Sequence, residues 1–567
     1  MGGGRAGQLQ ETEFEREVVL APPAPPTTSA AATLEAIAAL ALVTPWCVLK
    51  TYGLRPAAAD ENIYFYFATR IAEAGKLPYR DFFFAHPPLH LVPAVLLVKL
   101  AGGFSLVAMK ALPGFAALVA GLALWRATRT VGRTAGLVAL ALWLFSYDVL
   151  RASSHFTGAN WTAMWLALGL LALTSRWYAL GGLLLGAACG TGLYAVPASA
   201  AVLVALAFVD RRRALTAFAA WTLTGAALVA GGFALGGQAF WDEVVRYHLK
   251  KTAEEGAFLA AARPLFALNP LLLWGAVLGA AAAALALVRG DHDLPGVRSP
   301  AAGGAPPRDD RGRALLFASF AGLAVNVAFI ASLARVYAFY FALALACAAP
   351  LAGFGYSQLV VRARRFAESQ GAALAAAALA ALAVVGVVLE TRARRSLSEG
   401  REGEARSYRW SPSPLLPAWL DAAVKATLWR GDDVRGEETW AIAAYLRHES
   451  HEFGIADELA RRVRQRTAPG TTIFGDSTST PLVALLAGRA LTFDEADTNL
   501  LRFLSGATGE LAFLEHIAAA RPMAVVAASR RGLFVERTAR EWLSRHFVQR
   551  DALDDAWEGQ YTIWTPK

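Results

Sequence analysis

Residues 60–89 read DENIYFYFATRIAEAGKLPYRDFFFAHPPL and lie between two apolar blocks. The stretch opens on paired carboxylates, Asp60 and Glu61. It passes through the aromatic run Tyr64 to Phe67 and carries the cations Arg70, Lys76 and Arg80. It closes on Arg80-Asp81 and then His86-Pro87-Pro88, where the chain re-enters apolar sequence. Carboxylates, cations and a histidine held at one depth beside a membrane suit a reaction site better than a connector.

The flanking sequence decides the class. The chain has 567 residues, 56% hydrophobic and only 17% charged, where soluble domains carry about 25% charge. Mean hydropathy is +0.39. Apolar residues come in blocks of about 17 to 24, the length that crosses a roughly 30 Å hydrocarbon core. The expected fold is therefore a polytopic α-helical membrane protein with a C-terminal soluble α/β domain. Net charge is +9, but no long basic run exists, so nucleic-acid binding is not expected. Cys47, Cys189 and Cys347 all fall in apolar blocks without metal spacing and read as packing residues.

Residues 1–33 run from Gly-rich to acidic to Pro-rich and lack the basic start of a signal peptide. They read as a disordered cytoplasmic tail, and the first span, about 34–52, as an uncleaved anchor. Further spans are expected at about 88–104, 107–125, 134–150, 159–175, 177–209, 214–236, 268–289, 314–333, 336–356 and 371–389. Counting 177–209 once gives about eleven within a membrane domain of 34–389. Gly190, Gly192 and Pro197 mark where 177–209 would break in two. Loops 53–87 and 237–267 then fall outside, and a Pro/Gly-rich linker, 290–313, falls inside. Arg211-Arg212-Arg213 and Arg362, Arg364 and Arg365 land inside, as the positive-inside bias expects. Arg126, Arg129 and Arg133 land outside, against it.

Residues 390–567 read as an external, periplasmic α/β domain. Strands are expected at Thr471–Phe474, Met523–Ala527 and Tyr561–Trp564, with helices at about 438–466, 481–488, 509–520 and 535–546. His448-Glu449-Ser450-His451-Glu452 lacks metal-box spacing and reads as a solvated face. Asp476 follows a strand, where α/β domains place ligand contacts, although fold alone makes no site.

Within the outer loops, Asp60 at a fixed depth could take a proton from an attacking hydroxyl. In the second loop, Tyr247, His248, Lys250 and Lys251 cluster beside Arg246. On a helix, 247, 250 and 251 share a face. Such a face could neutralise a departing phosphate or meet anionic lipids. Residues 151–160, with His155 and Asn160, form a third polar patch. Asn326 and Arg335 are polar groups in or near late spans.

The Asp-Glu pair after the first span, a Tyr-rich helix, Gly75-x-x-Pro78-Tyr79-x-Asp81 and His86-Pro87-Pro88-Leu89 together resemble the first external loop of GT-C membrane glycosyltransferases. The resemblance is to the bacterial branch of protein O-mannosyltransferases, the lipid A aminoarabinose transferase and the RgtA/B/C/D-like enzymes. It is linear over about 60–110. It implies a polyprenyl-phosphate sugar donor, an acceptor hydroxyl on a glycolipid, polysaccharide or protein, and Asp60 as the base. Glu61 is a second candidate, for orientation or charge. The aminoarabinose transferases have Lys before the Pro-Pro pair. Here it is His86, which offers a hydrogen bond and a partial charge near neutrality. Asp81 could hold His86 or a basic side chain, and Arg80 could contact phosphate or headgroups. No tightly bound metal is expected, since Asp60 and Glu61 are too few ligands for a cage, although some relatives use a divalent ion. The implied place is a bacterial inner membrane, N-terminus cytoplasmic and catalytic side periplasmic. A lipid-linked sugar flippase and a non-catalytic scaffold of the same fold are the alternatives.

Overall fold

The computed structural model describes residues 28–288, 311–370, 384–386, 388, 415–420, 422–423, 453–530, 532–555 and 559–567. The expected tail through residue 27, most of the 290–313 linker, nearly all of the 371–389 span and the His448–Glu452 segment lie outside them.

The helices begin with α1 (Thr28–Thr51), α2 (Glu61–Ala74), α3 (Val92–Ala101), α4 (Leu106–Thr128), α5 (Arg133–Leu144) and α6 (Tyr147–Ala152). They continue with α7 (Ala159–Thr174), α8 (Tyr178–Thr191), α9 (Ala195–Val209), α10 (Arg211–Gly236), α11 (Gln238–Trp241) and α12 (Tyr247–Leu249). The next four are α13 (Ala257–Leu268), α14 (Pro270–Val288), α15 (Arg311–Ser332) and α16 (Phe341–Gln370), and the C-terminal region adds helices Ala456–Arg466, Thr480–Ala487, Leu500–Leu504, Glu510–Ala519 and Arg537–His546. Five apolar stretches among the described residues are long enough to cross a membrane: Ala30–Thr51, Leu106–Val131, Arg211–Gly236, Arg311–Ser332 and Ala338–Phe366. The pair α13–α14, bent by 93°, makes a sixth if it is one span.

Ion pairs fix which end of the bundle is which. Glu35, early in α1, accepts from Trp125 Nε1 at 3.0 Å and pairs with Arg129 at 2.8 Å and Arg133 at 3.9 Å. At the other end, Lys50 of α1 donates to Leu150 O at 2.9 Å and Ser154 Oγ at 2.6 Å, and Lys110 of α4 pairs with Glu61 at 2.6 Å. Helices α1 and α4 thus join the same two ends in opposite senses. Arg129 and Arg133 lie at the end opposite Asp60, not on its side as the span count implied.

The reason is that the 88–104 block does not cross. Helix α3 has 10 residues, about 15 Å at 1.5 Å per residue, half the hydrocarbon thickness. It runs beside α2. The ring of His90 at its entry packs 4.4 Å from that of Tyr64, tilted by 58°, and Gly103 past its end lies beside Glu73 near the end of α2. Conversely, 177–209 is two helices, broken at Gly192. Close backbone approach between α14 and α16 depends on glycine. A Cβ on Gly279 would lie 1.9 Å from Leu351 O, the small-residue packing usual where lipid supplies no hydrophobic drive.

The C-terminal region carries a five-stranded mixed sheet in the order β2-β1-β3-β5-β4. Strand β1 (Thr472–Gly475) runs parallel to β2 (Ala490–Leu491) and β3 (Ala524–Ala528). Strand β5 (Gly559–Pro566) is antiparallel to β3 and to β4 (Phe547–Asp555). The expected strands are present within a few residues. Strand β4 escaped prediction because it is an exposed edge rich in charge, which hides the alternation of a half-buried strand. Its burial is confined largely to its two ends.

Candidate active site

Helix α2 is buried from Glu61 to Thr69, so each of its faces meets a different partner. Residues 62, 66 and 70 share one face, and it meets the C-terminal domain. Asn62 donates to Thr478 O at 2.6 Å. Tyr66 donates to Asp494 Oδ1 at 2.6 Å and accepts the Leu491 N–H at 2.7 Å. Arg70 Nε reaches Asp494 Oδ1 at 2.7 Å. A second face meets the bundle. Glu61 and Lys110 are both fully buried, and Glu61 Oε2 also accepts the Phe156 N–H at 3.0 Å. His155 Nδ1 stands 4.0 Å from Glu61 Oε1, so the 151–160 patch packs beneath this loop. The third face carries Tyr64, whose hydroxyl hydrogen-bonds His86 Nε2 at 2.9 Å.

Asp60 sits at the N-cap of α2, yet its side chain caps no backbone N–H. Its carboxylate is therefore available to something else. Water reaches it, but protein surrounds it closely enough to strip most solvation. Desolvation, and then the charge of Asp497, push its pKa up to about 6, while Lys251 pulls the other way. The charge of Asp60 is also felt by Tyr64, Tyr247 and Tyr337. These groups line one recess formed by the first loop, the second loop, the segment before α16 and the C-terminal domain.

Lys251 is the cation of that recess. Its ammonium lies 4.8 Å from the Tyr247 ring centroid. Burial lowers its pKa to about 8 against the pull of Asp497 and Asp60, with Arg335 adding to the lowering. Arg335 is held by Thr252, donating to its carbonyl at 3.1 Å. The two cations thus meet near one place from different loops.

The second loop is not the continuous helix that would put 247, 250 and 251 on one face. It contains a π-helical turn, Asp242–Arg246, then only Tyr247–Leu249 as α12. Lys250 is exposed, whereas Lys251 folds back over Tyr247. Tyr247 packs edge-on against Phe83 at 5.5 Å. His248 Nε2 hydrogen-bonds Ala85 O at 2.7 Å, and burial brings its pKa down to about 4. His86 stacks on His90 at 4.7 Å, and burial, then His90, His248 and Lys251, depress its pKa well below the usual range. Both His86 and His248 are neutral hydrogen-bonding groups at neutral pH, so neither adds cationic charge.

Arg80 and Asp81 form a local turn. They pair at 3.2 Å, and Asp81 accepts the Leu77 N–H at 2.8 Å, which holds its carboxyl low. Their side chains thus turn to each other and to the local backbone rather than to Asp60 or His86. Asp476 is buried, accepting the Ala528 N–H at 2.6 Å where β1 meets β3. Asn326 is fully buried in α15. Cys189 and Cys347 are buried, while Cys47 lies on an exposed surface of α1. Among the described residues, no group of three or more His, Cys, Asp or Glu is placed to hold a metal.

Sequence reasoning missed Asp497, Asp494, Glu243 and Tyr337. Glu243 accepts the Phe84 N–H at 2.7 Å, tying the second loop to the first, and burial lifts its pKa to about 7. Only the local density of acids at 494–497 in FDEADTN could have marked the C-terminal residues, and such runs are ordinarily solvated.

Comparison with known proteins places this geometry in a fold. The chain is similar to ArnT from Cupriavidus metallidurans bound to undecaprenyl phosphate, with TM-score 0.58 and 14% identity over 95% of this chain and 98% of that one. The apo form of that protein gives TM-score 0.57 at 15% identity with the same coverage. No family model matches the sequence, and no curated protein sequence matches it. The chain has the GT-C fold, the architecture of the lipid A aminoarabinose transferase.

Proposed function

We propose that this chain is an integral-membrane glycosyltransferase that moves a sugar from a polyprenyl-phosphate donor to an acceptor hydroxyl. The observation that carries the reading is Asp60: an uncapped carboxylate at a helix N-terminus, in a recess with Lys251 opposite. Asp60 takes the proton of the acceptor hydroxyl as its oxygen attacks the anomeric carbon. The bond from that carbon to the phosphate oxygen breaks, and polyprenyl phosphate leaves with the electron pair toward Lys251 and Arg335. One direct displacement inverts the anomeric centre. Preorganised cations where charge develops are commonly a large catalytic term. Neutral His86 and Tyr64 supply hydrogen bonds to the sugar or phosphate. Glu61 acts through its hold on α2, while Arg80 and Asp81, paired with each other, and the exposed Lys250 take no part in the transfer step.

The membrane end bearing Asp60 is proposed to face the periplasm of a bacterial inner membrane, with the N-terminus cytoplasmic. Arg129 and Arg133 support this from the opposite end, as does Arg213, which stacks over Tyr178 at 5.5 Å where α8 and α10 begin. The acceptor is a glycolipid, polysaccharide or protein.

The test uses purified protein in lipid, a panel of polyprenyl-phosphate sugars and a membrane lipid extract. Release of free polyprenyl phosphate is the expected result. Movement of lipid-linked sugar between leaflets with no release from any donor would replace the transferase by a flippase.

Asp60 must be ionised and Lys251 protonated. The value of kcat/KM should therefore rise through about 6 and fall above about 8, the values these groups take here. Lys251→Arg keeps the charge and should remove the alkaline limb. A profile flat from pH 5 to 9 counts against both assignments. No tightly bound metal is needed, because Glu61 turns to Lys110 and does not converge with Asp60. Rates should survive a chelator unchanged; complete loss, restored by a divalent ion, reverses that statement.

A further inference from the structure

Segment 492–499 of the C-terminal domain turns on two successive left-handed residues, Phe493 at φ 55° and Asp494 at φ 56°. Neither is glycine. Such backbone persists where its surroundings over-determine it, and it clusters at functional sites. The surroundings here are α2. Asp494 accepts from Tyr66 and Arg70 and lies 3.7 Å from Lys76 Nζ. On the other side of the segment, Arg502 is nearly buried. It pairs with Glu495 at 2.6 Å, donates to Asp497 O at 3.0 Å and lies 4.4 Å from the Phe83 ring centroid. Asn499 N–H donates to Asp497 Oδ1 at 3.1 Å. The segment is pinned on both sides to the 60–89 stretch, and the side chain between the pins is Asp497.

We infer that this segment completes the catalytic recess, with Asp497 a positioning residue for Asp60 and Lys251. Its catalytic meaning rests on Asp60 being the base; its physical test does not. The charged and titratable groups facing Asp497 are Arg502, Glu495, Lys251, Asp60, Glu243, Tyr64 and Tyr247. Those facing Asp60 are Asp497, Lys251, Tyr64, Tyr247 and Tyr337. Of these, Asp497 is the charge that raises the proton affinity of Asp60, and it also favours the protonated form of Lys251. A full-length transferase lacking this carboxylate keeps its base but holds it at the wrong proton affinity.

The experiment is an infrared pH titration of the full chain in lipid nanodiscs, with the Asp60 carboxyl band identified by subtracting the Asp60→Asn spectrum. The wild-type midpoint is expected near 6. Asp497→Asn should shift it down by about 0.5 to 1 unit. Asp494→Asn, which loosens one pin, should shift it the same way by less, and it tests the inference if Asp497→Asn does not fold. Asp497→Glu should restore the wild-type value. A midpoint unmoved in a folded Asp497→Asn protein overturns the inference, even if transfer is lost. An Asp60→Asn enzyme that still releases polyprenyl phosphate would overturn the assignment of the base and leave this titration standing.

Discussion

Asp60→Asn lowers the turnover for polyprenyl-phosphate release by about 10²- to 10⁴-fold, the usual contribution of a positioned general base. The substitution preserves shape and removes only the ability to accept a proton. Asp60 makes no cap hydrogen bond to its own helix, so the α2 N-terminus keeps its structure, and melting should match the wild type. The proposed donor contacts, Lys251 and Arg335, keep their own anchors on Tyr247 and Thr252. The loss should therefore appear in kcat with KM nearly constant, the signature of an interaction made in the transition state. A variant that releases polyprenyl phosphate at the wild-type rate moves the base elsewhere. A variant whose whole loss is in KM makes Asp60 a binding group. Raising the pH does not rescue Asn, whereas the wild type slowed at pH 5 recovers by pH 7.

The 60–89 stretch was legible because the membrane does the sorting. Charges are excluded from apolar blocks, so a cluster of them at one depth stands out in the bare sequence. What lay inside the stretch was less legible. Asp60 and Glu61 are adjacent, but a helix turns about 100° per residue, which sends Glu61 into the bundle and leaves Asp60 in the recess. Helix α3 was misread because apolarity suits a crossing helix and one lying along the membrane edge equally well. Only its neighbours, Tyr64 at one end and Glu73 at the other, settle which it is. Asp497 was illegible for a different reason. It reaches the recess from more than 400 residues along the chain, and nothing local distinguishes an acid that crosses a domain boundary from one that meets water.

Breaking the Glu61–Lys110 pair should give the largest loss of stability in the membrane domain, about 3–5 kcal/mol for either partner alone. Both side chains are fully buried at 2.6 Å separation, so neither survivor has water to turn to. Lys110→Met leaves Glu61 with the Phe156 N–H and the more distant His155. Glu61→Gln keeps that acceptor but leaves the Lys110 ammonium on Ser154 O, 2.8 Å away, with no carboxylate. Melting of the purified variants in one detergent measures the loss. The double variant, Glu61→Leu with Lys110→Met, removes both charges and should recover part of it, since well-packed apolar pairs often replace buried ion pairs without cost. Recovery stays incomplete because the Phe156 N–H and Ser154 O lose their partners, at about 1–3 kcal/mol each. Singles as stable as the wild type would mean that this pair does not fasten α2 to the bundle. Asp60 would then owe its place to the C-terminal domain, through Asn62, Tyr66 and Arg70.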